Sequence, residues 1–237
     1  MEKSERDLLA CENPVVYHLL MMAAGMMGAY TFIFRGGVFC NAQTANLVML
    51  AAELGRKKWA MAAYYLVPIF AYFAGTLISE LIPKYIKKSR LIRWDTLLVF
   101  IEIMVLTAVG FIPLSINHHV VQIMINFIAS MQYNTFRQAD HVPMATTFCT
   151  NHIRQSVIWL VKGTKEGDRD KLKRGFSHIS MLLIFILGGV LVSISGLFIK
   201  EMSIWVAILP MTVTFGILLY ADLKSQKELL METPSGH

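Results

Sequence analysis

Long charge-free apolar runs constrain this chain more than any other feature of its sequence. Residues 15–34 contain no Lys, Arg, Asp or Glu, and residues 179–199 and 202–221 are equally free of charge. Residues 59–82 carry Glu80 alone, and residues 96–116 carry Glu102 alone. Residues 120–136 are shorter and more polar, with Gln122, Asn126, Gln132 and Asn134. Roughly 20 helical residues cross a hydrocarbon core. Lipid cannot satisfy exposed backbone groups, so each run is expected to be a helix. The expected fold class is all-α, a polytopic membrane protein with about six transmembrane helices, one for each run. Composition agrees, since 55% of the 237 residues are hydrophobic and only 16% are charged.

The net charge of +6 does not call for a nucleic-acid partner. The basic residues gather in loops, at Lys84, Lys87, Lys88, Arg90 and Arg93 and again across residues 162–174. Such charge orients membrane proteins and meets anionic headgroups. The expected partner is the lipid bilayer of the cell membrane, and no nucleic acid. Cys11, Cys40 and Cys149 are too scattered for a disulfide framework or a metal cluster. Adjacent His118 and His119 point to different helix faces with no third ligand in view, so no metal and no cofactor is expected. The first apolar run is too long for a cleavable signal. There is no Ser-His-Asp arrangement, no HExxH helix and no phosphate-binding Gly-x-x-x-x-Gly-Lys loop, so the chain is not expected to be an enzyme.

Two polar stretches interrupt this background. Residues 36–50 hold Asn41, Gln43, Thr44 and Asn46, and residues 146–152 hold Thr146, Thr147, Thr150, Asn151 and His152. Each predicts a short helix, over 42–54 and 147–161. Thirteen residues cover only about 20 Å, a partial crossing. A helix beginning inside the membrane leaves its first N–H groups unsatisfied at the positive end of its dipole. An anionic or strongly polar ligand could satisfy both. These nine residues, with Tyr30, Gln132 and Asn134, form the candidate substrate site. The competing reading is that Thr and Asn at helix starts are ordinary N-caps. Glu102 lies inside an apolar run where an ionised carboxylate is costly, which makes it a proton-coupling candidate.

The halves can be overlaid. Met27-Gly28-Ala29-Tyr30-Thr31-Phe32 aligns with Met131-Gln132-Tyr133-Asn134-Thr135-Phe136, and Thr44-Ala45-Asn46-Leu47 with Thr150-Asn151-His152-Ile153. Phe70 to Gly75 pairs more loosely with Phe185 to Gly189. The implied division is a polar tail at 1–13, a first repeat at 14–116, a second at 117–222 and a polar, disordered tail at 223–237. If both short helices enter and return, the halves are inverted. That arrangement puts most basic residues inside with both termini cytoplasmic, leaving Arg35, Arg56, Lys57, Lys58 and Lys200 outside. It is the favoured arrangement of the two pseudo-symmetric repeats.

The order Gly25, Gly28-Ala29, Phe39, Thr44-Ala45-Asn46, then Met131-Gln132, Arg137, Thr147 and Thr150 resembles the YoaK family of integral membrane proteins of unknown function. The resemblance covers roughly residues 12–222. It implies a Thr-Gly-Asn signature after the first helix and a Thr-Gly echo in the second half. Here the signature glycine is Ala45, the echo glycine is Asn151, and Gly28 stands where an acidic residue is common. The leading expectation is a transporter or channel for an unidentified small molecule or ion, compatible with a homodimer. The alternative is a non-transporting membrane scaffold or sensor whose paired polar helices are structural caps.

Overall fold

The computed structural model describes residues 8–89 and 91–234. The readings made for Arg90 and for the extreme ends of both tails lie outside the described residues. A 3-10 turn at Ala10–Glu12 leads into α1, Pro14–Phe34. Then come α2 (Gln43–Gly55), α3 (Trp59–Leu81), α4 (Pro83–Ser89), α5 (Trp94–Gly110) and α6 (His118–Thr135). A two-residue ladder pairs β1 (Gln138–Ala139) with β2 (Val142–Pro143). The chain continues through α7 (Cys149–Glu166), α8 (Arg169–Ile199), a 3-10 helix at Lys200–Ala207, α9 (Ile208–Tyr220) and a π-helical turn at Ala221–Ser225.

Several helix starts follow from local chemistry. Asn13 accepts the Val15 N–H, and Pro14 fills the first helical position, where a missing N–H costs nothing. Asn117 caps α6 through the His119 N–H. Asp168 caps α8 by accepting from Asp170 and Lys171, and the Lys171 N–H holds that carboxyl below its usual range. Gly167, at φ 65°, ends α7 in the left-handed conformation that glycine adopts without strain.

Three helical segments are long and apolar enough to cross a membrane: Pro14–Phe34, Trp59–Lys88 and the run Arg169–Ser225. The outer helices α3 and α8 present Phe70, Phe73, Leu183, Leu197 and Phe198 outward. So much exposed apolar surface suits lipid rather than water. Helix α6 is more polar because it is interior: Gln122, Asn126, Ser130 and Gln132 are all buried along it.

Two helix pairs build the frame. Helices α1 and α8 run side by side in one direction, with His18 bonded to Ser180 near their starts and Phe34 against Gly196 near their ends. Between these points a Cβ on Gly25 would collide with the Phe185 carbonyl, and one on Gly188 with the Met22 carbonyl. Close approach of the two backbones requires both glycines. Helices α3 and α6 make the second parallel pair. Tyr64 meets Gln122 near the starts, Gly75 abuts Phe127 and Ser130, and Asn134 bonds Ser79 and Glu80 at the ends. Helix α2 lies on α3, α7 on α8, α5 on α6 and α9 on α1.

One end of the bundle gathers residues 8–13, 91–95, 137–143 and 222–232. There Asp140 donates to the Glu12 carbonyl, Arg93 pairs with Asp95 at 3.1 Å, and Asp222 accepts from the Arg93 N–H and from Thr96. The opposite end holds Arg35, the end of α5 and the starts of α3 and α6.

Some expectations are corrected. Residues 137–143, between the apolar run at 120–136 and the second polar stretch, form a small hairpin, its turn made by Asp140 and His141 at φ 46° and 57°. The linker 162–177 is helical except around Gly167 and Asp168. Lys200, counted among the outside cations, opens a 3-10 helix. Within the expected disordered tail, residues 226–232 are held in place: Gln226 bonds Leu8 and Ala10, and Arg93 donates to the Leu229 and Glu232 carbonyls. Glu80, the one charge in its apolar run, pairs with Arg137 at 2.8 Å.

Candidate functional site

After α1 the chain turns at Gly36 and Gly37, both at positive φ, and doubles back along α1 before starting α2. Asn41 donates to the Ala24 carbonyl, at the middle of α1, and packs against Gly28. Gln43 donates to Asn126 at 2.8 Å, at the middle of α6. The start of α2 therefore lies in the interior of the bundle. Asn46 holds it there by reaching back seven residues, accepting the Phe39 N–H and donating to the Phe39 carbonyl at 2.8 Å. The helix itself has no side-chain cap, since its N-cap residue is Ala42.

The start of α7 is built the same way. His152, the residue aligned with Asn46, also reaches back seven residues and bonds the Ala145 carbonyl at 2.7 Å. A carbonyl only accepts, so His152 Nε2 carries the proton and its Nδ1 accepts from His178 Nδ1 at 2.9 Å. That leaves His178 Nε2 as a bare, buried acceptor. The N-cap residue is Phe148, and again no side chain caps the helix. Extending the overlay places Cys40 on Thr146 and Asn41 on Thr147, and all four are buried.

The two starts differ in how well they are satisfied. Around α2 the polar groups close on one another, Asn46 also donating to Gln43 at 3.0 Å. Around α7 the hydroxyls of Thr146 and Thr147 are buried with no hydrogen-bond partner. The Tyr72 hydroxyl faces Thr147, with no hydrogen bond of ordinary geometry between them. An open cleft of about 470 Å³ flanks the α7 start, lined by Tyr133, Ala145, Phe148, Thr150, Asn151 and Arg154.

The remaining candidates scatter. Thr44 and Thr150 sit in the first turns of α2 and α7 with exposed side chains. Gln132 is fully buried, donates weakly to the Leu20 carbonyl at 3.4 Å, and keeps an unpartnered Oε1. Asn134 belongs to the Glu80–Arg137 network at the bundle end, accepting from Arg137 at 2.9 Å. Tyr30 donates to the Glu201 carbonyl and accepts from Arg35. Glu102 is fully buried on α5, and neither oxygen has a hydrogen-bond partner. Arg154 is bonded to Asn151 on the exposed face of α7.

Arg35 escaped the sequence reading, which counted it as a loop cation. It is fully buried and donates to the Ile112 carbonyl at 2.6 Å and the Pro113 carbonyl at 3.2 Å, just past the end of α5. A cation at a helix C-terminus complements its dipole and satisfies its last carbonyls. Its position directly before Gly36-Gly37 hid it, because such a sequence reads equally well as a solvated turn.

These features define an α-helical membrane protein whose chain twice begins a helix in the bundle interior without a side-chain cap. The chain belongs to the family described as "Protein of unknown function (DUF1275)", which matches over residues 16–218. This agrees with the resemblance to the YoaK family. No curated protein and no solved structure matches the chain.

Proposed function

We propose that this protein is a transporter or channel for a small polar solute or ion, with six crossing helices in two inverted halves and a polar path between the starts of α2 and α7. The packing supports the symmetry: an overlay of α1 on α6 and α3 on α8 exchanges the α1–α8 pair with the α6–α3 pair. Helices α1 and α8 leave the end that holds the N-terminal turn, whereas α3 and α6 run toward it, so corresponding helices are antiparallel. The matched seven-residue links of Asn46 and His152 add local support.

The observation that carries the transport reading is the set of unsatisfied groups beside the uncapped start of α7. Tyr72, Thr146 and Thr147 each bury an oxygen with no partner. An unmade buried hydrogen bond costs about 1–3 kcal/mol, and a polar guest would offset that cost. Inverted repeats with interrupted helices commonly hold solutes at such starts, where the dipole favours anionic or strongly polar groups. Glu102 is the proton-coupling candidate, since a buried carboxyl without a partner changes charge only by taking or losing a proton.

Uptake into proteoliposomes across a panel of polar metabolites and ions tests the proposal. At least one solute should accumulate, Thr147→Val should lower its uptake about tenfold, the scale of one lost hydrogen bond, and Glu102→Gln should abolish uptake driven by a pH gradient. If no solute moves, the transport reading fails.

The second reading, a non-transporting scaffold or sensor, draws on the α2 side, where Asn41, Gln43 and Asn46 are all bonded within the protein. Under it, Thr147→Val and Tyr72→Phe remove unsatisfied hydroxyls, raise thermal stability and change nothing else.

A further inference from the structure

The α7–α8 hairpin carries a surface that the solute path does not use. Helix α8 has 31 residues, about 46 Å of helix against a hydrocarbon core of about 30 Å. Its apolar run begins near residue 179, so its first turns project beyond the core together with the last turns of α7. The two helices pack closely at this level, Gly163 against Leu172 and Gly175 against Leu160. Trp159 lies between two cations, with Lys162 Nζ 5.5 Å and Arg174 Cζ 5.2 Å from its ring.

The local acids are taken up elsewhere. Lys171 pairs with Glu166 and Asp168, and Lys173 with Asp170. Lys162, Lys165, Arg169 and Arg174 are exposed, and no acid pairs with any of them among the described residues. On the membrane side of this cluster Val157, Val161, Phe176 and Leu183 are exposed and apolar. Surplus cations, an interfacial tryptophan and an apolar face are thus stacked in the order in which a phospholipid presents phosphate, glycerol and acyl chains.

We infer that the α7–α8 hairpin is a docking site for an anionic phospholipid, its phosphate held by Lys162 and Arg174 over Trp159 and its chains lying along the apolar face below. A guanidinium stacked on an aromatic ring keeps its edge donors for a phosphate, which suits Arg174 to this role. The inference stands apart from the transport reading, because it concerns the outer face of the bundle.

Native mass spectrometry of the detergent-purified protein, titrated with phosphatidylglycerol or phosphatidylcholine, tests it. The wild type should retain phosphatidylglycerol in clear preference. Lys162→Gln with Arg174→Gln should weaken that binding about 25-fold, at about fivefold per charge, while Lys162→Arg, which keeps both charges and the Arg174 guanidinium, retains most of it. Lys84→Gln with Lys88→Gln removes equal charge at another aromatic-flanked patch and should leave the preference intact. Equal binding of the two lipids, an unchanged first double variant, or an equal loss in the Lys84/Lys88 pair would each overturn the assignment. So would displacement of the lipid by millimolar inorganic phosphate, which would mark a free-anion site.

Discussion

Asn46 and His152 differ in chemistry but solve one problem, tying an interior helix start to the loop that enters it. Replacing Asn46 with Ala strands the Phe39 N–H and carbonyl and should cost about 1–3 kcal/mol, read as a lowered melting temperature of the purified protein. His152→Asn should be tolerated better than His152→Ala, because an amide spans the same seven residues at position 46. Equal destabilisation by both would show that the matched spacing has no energetic meaning. Glu102 is a separate case. With no partner to lose, Glu102→Met exchanges an isolated buried carboxyl for an apolar side chain of similar size and should raise the melting temperature. At this scale the sequence was partly legible. Polar residues in apolar surroundings stood out, which drew attention to Asn41, Asn46, Thr147 and His152. Their orientation did not, because one helical residue in either direction exchanges a buried face for an exposed one. Thr44 and Thr150 therefore sit outward while Thr146 and Thr147 carry the buried unpartnered hydroxyls.

Among the helices, the small-residue contacts on α1 and α8 decide how near the main chains can come. Gly25→Leu would drive a side chain into the Phe185 carbonyl, and overpacking of this kind costs about 1–3 kcal/mol or more. Gly216, whose added Cβ would meet nothing within 4 Å, supplies the control. A melting curve should separate the two leucine variants clearly, and similar losses would count against the α1–α8 contact as the frame. Apolar length located α1 and α3 well and the end but not the start of α8, and polar content located α2 to within a residue, Gln43–Gly55 against the expected 42–54. The hairpin at 138–143 was not legible, since Asp140-His141 lacks the glycine that usually marks such a turn. Nor was the extension of α7 to Glu166: charge in 162–174 reads as loop, although a helix leaving the membrane carries the same charge.

For the molecule as a whole, the proposed transport path joins two interior helix starts, and its inverted halves would exchange the α1–α8 pair with the α6–α3 pair. The packing gives the helices their directions: α1 with α8 one way, α3 with α6 the other. Contacts between helices distant in the chain, such as Arg35 with the end of α5 or the C-terminal segment with the N-terminal turn, had no local signature and needed the fold. The central claim is that water and polar solutes reach the α7 start. Cys149 is the first residue of α7 and is half-buried, whereas Cys11 and Cys40 are fully buried. Labelling in sealed proteoliposomes with a negatively charged, membrane-impermeant thiosulfonate measures that access directly. The account predicts that Cys149 is modified, that Cys11 and Cys40 are spared, and that Thr147→Trp slows the reaction by blocking the path. Labelling of Cys149 only by a lipid-soluble maleimide, with the charged reagent inert from both sides, would contradict it.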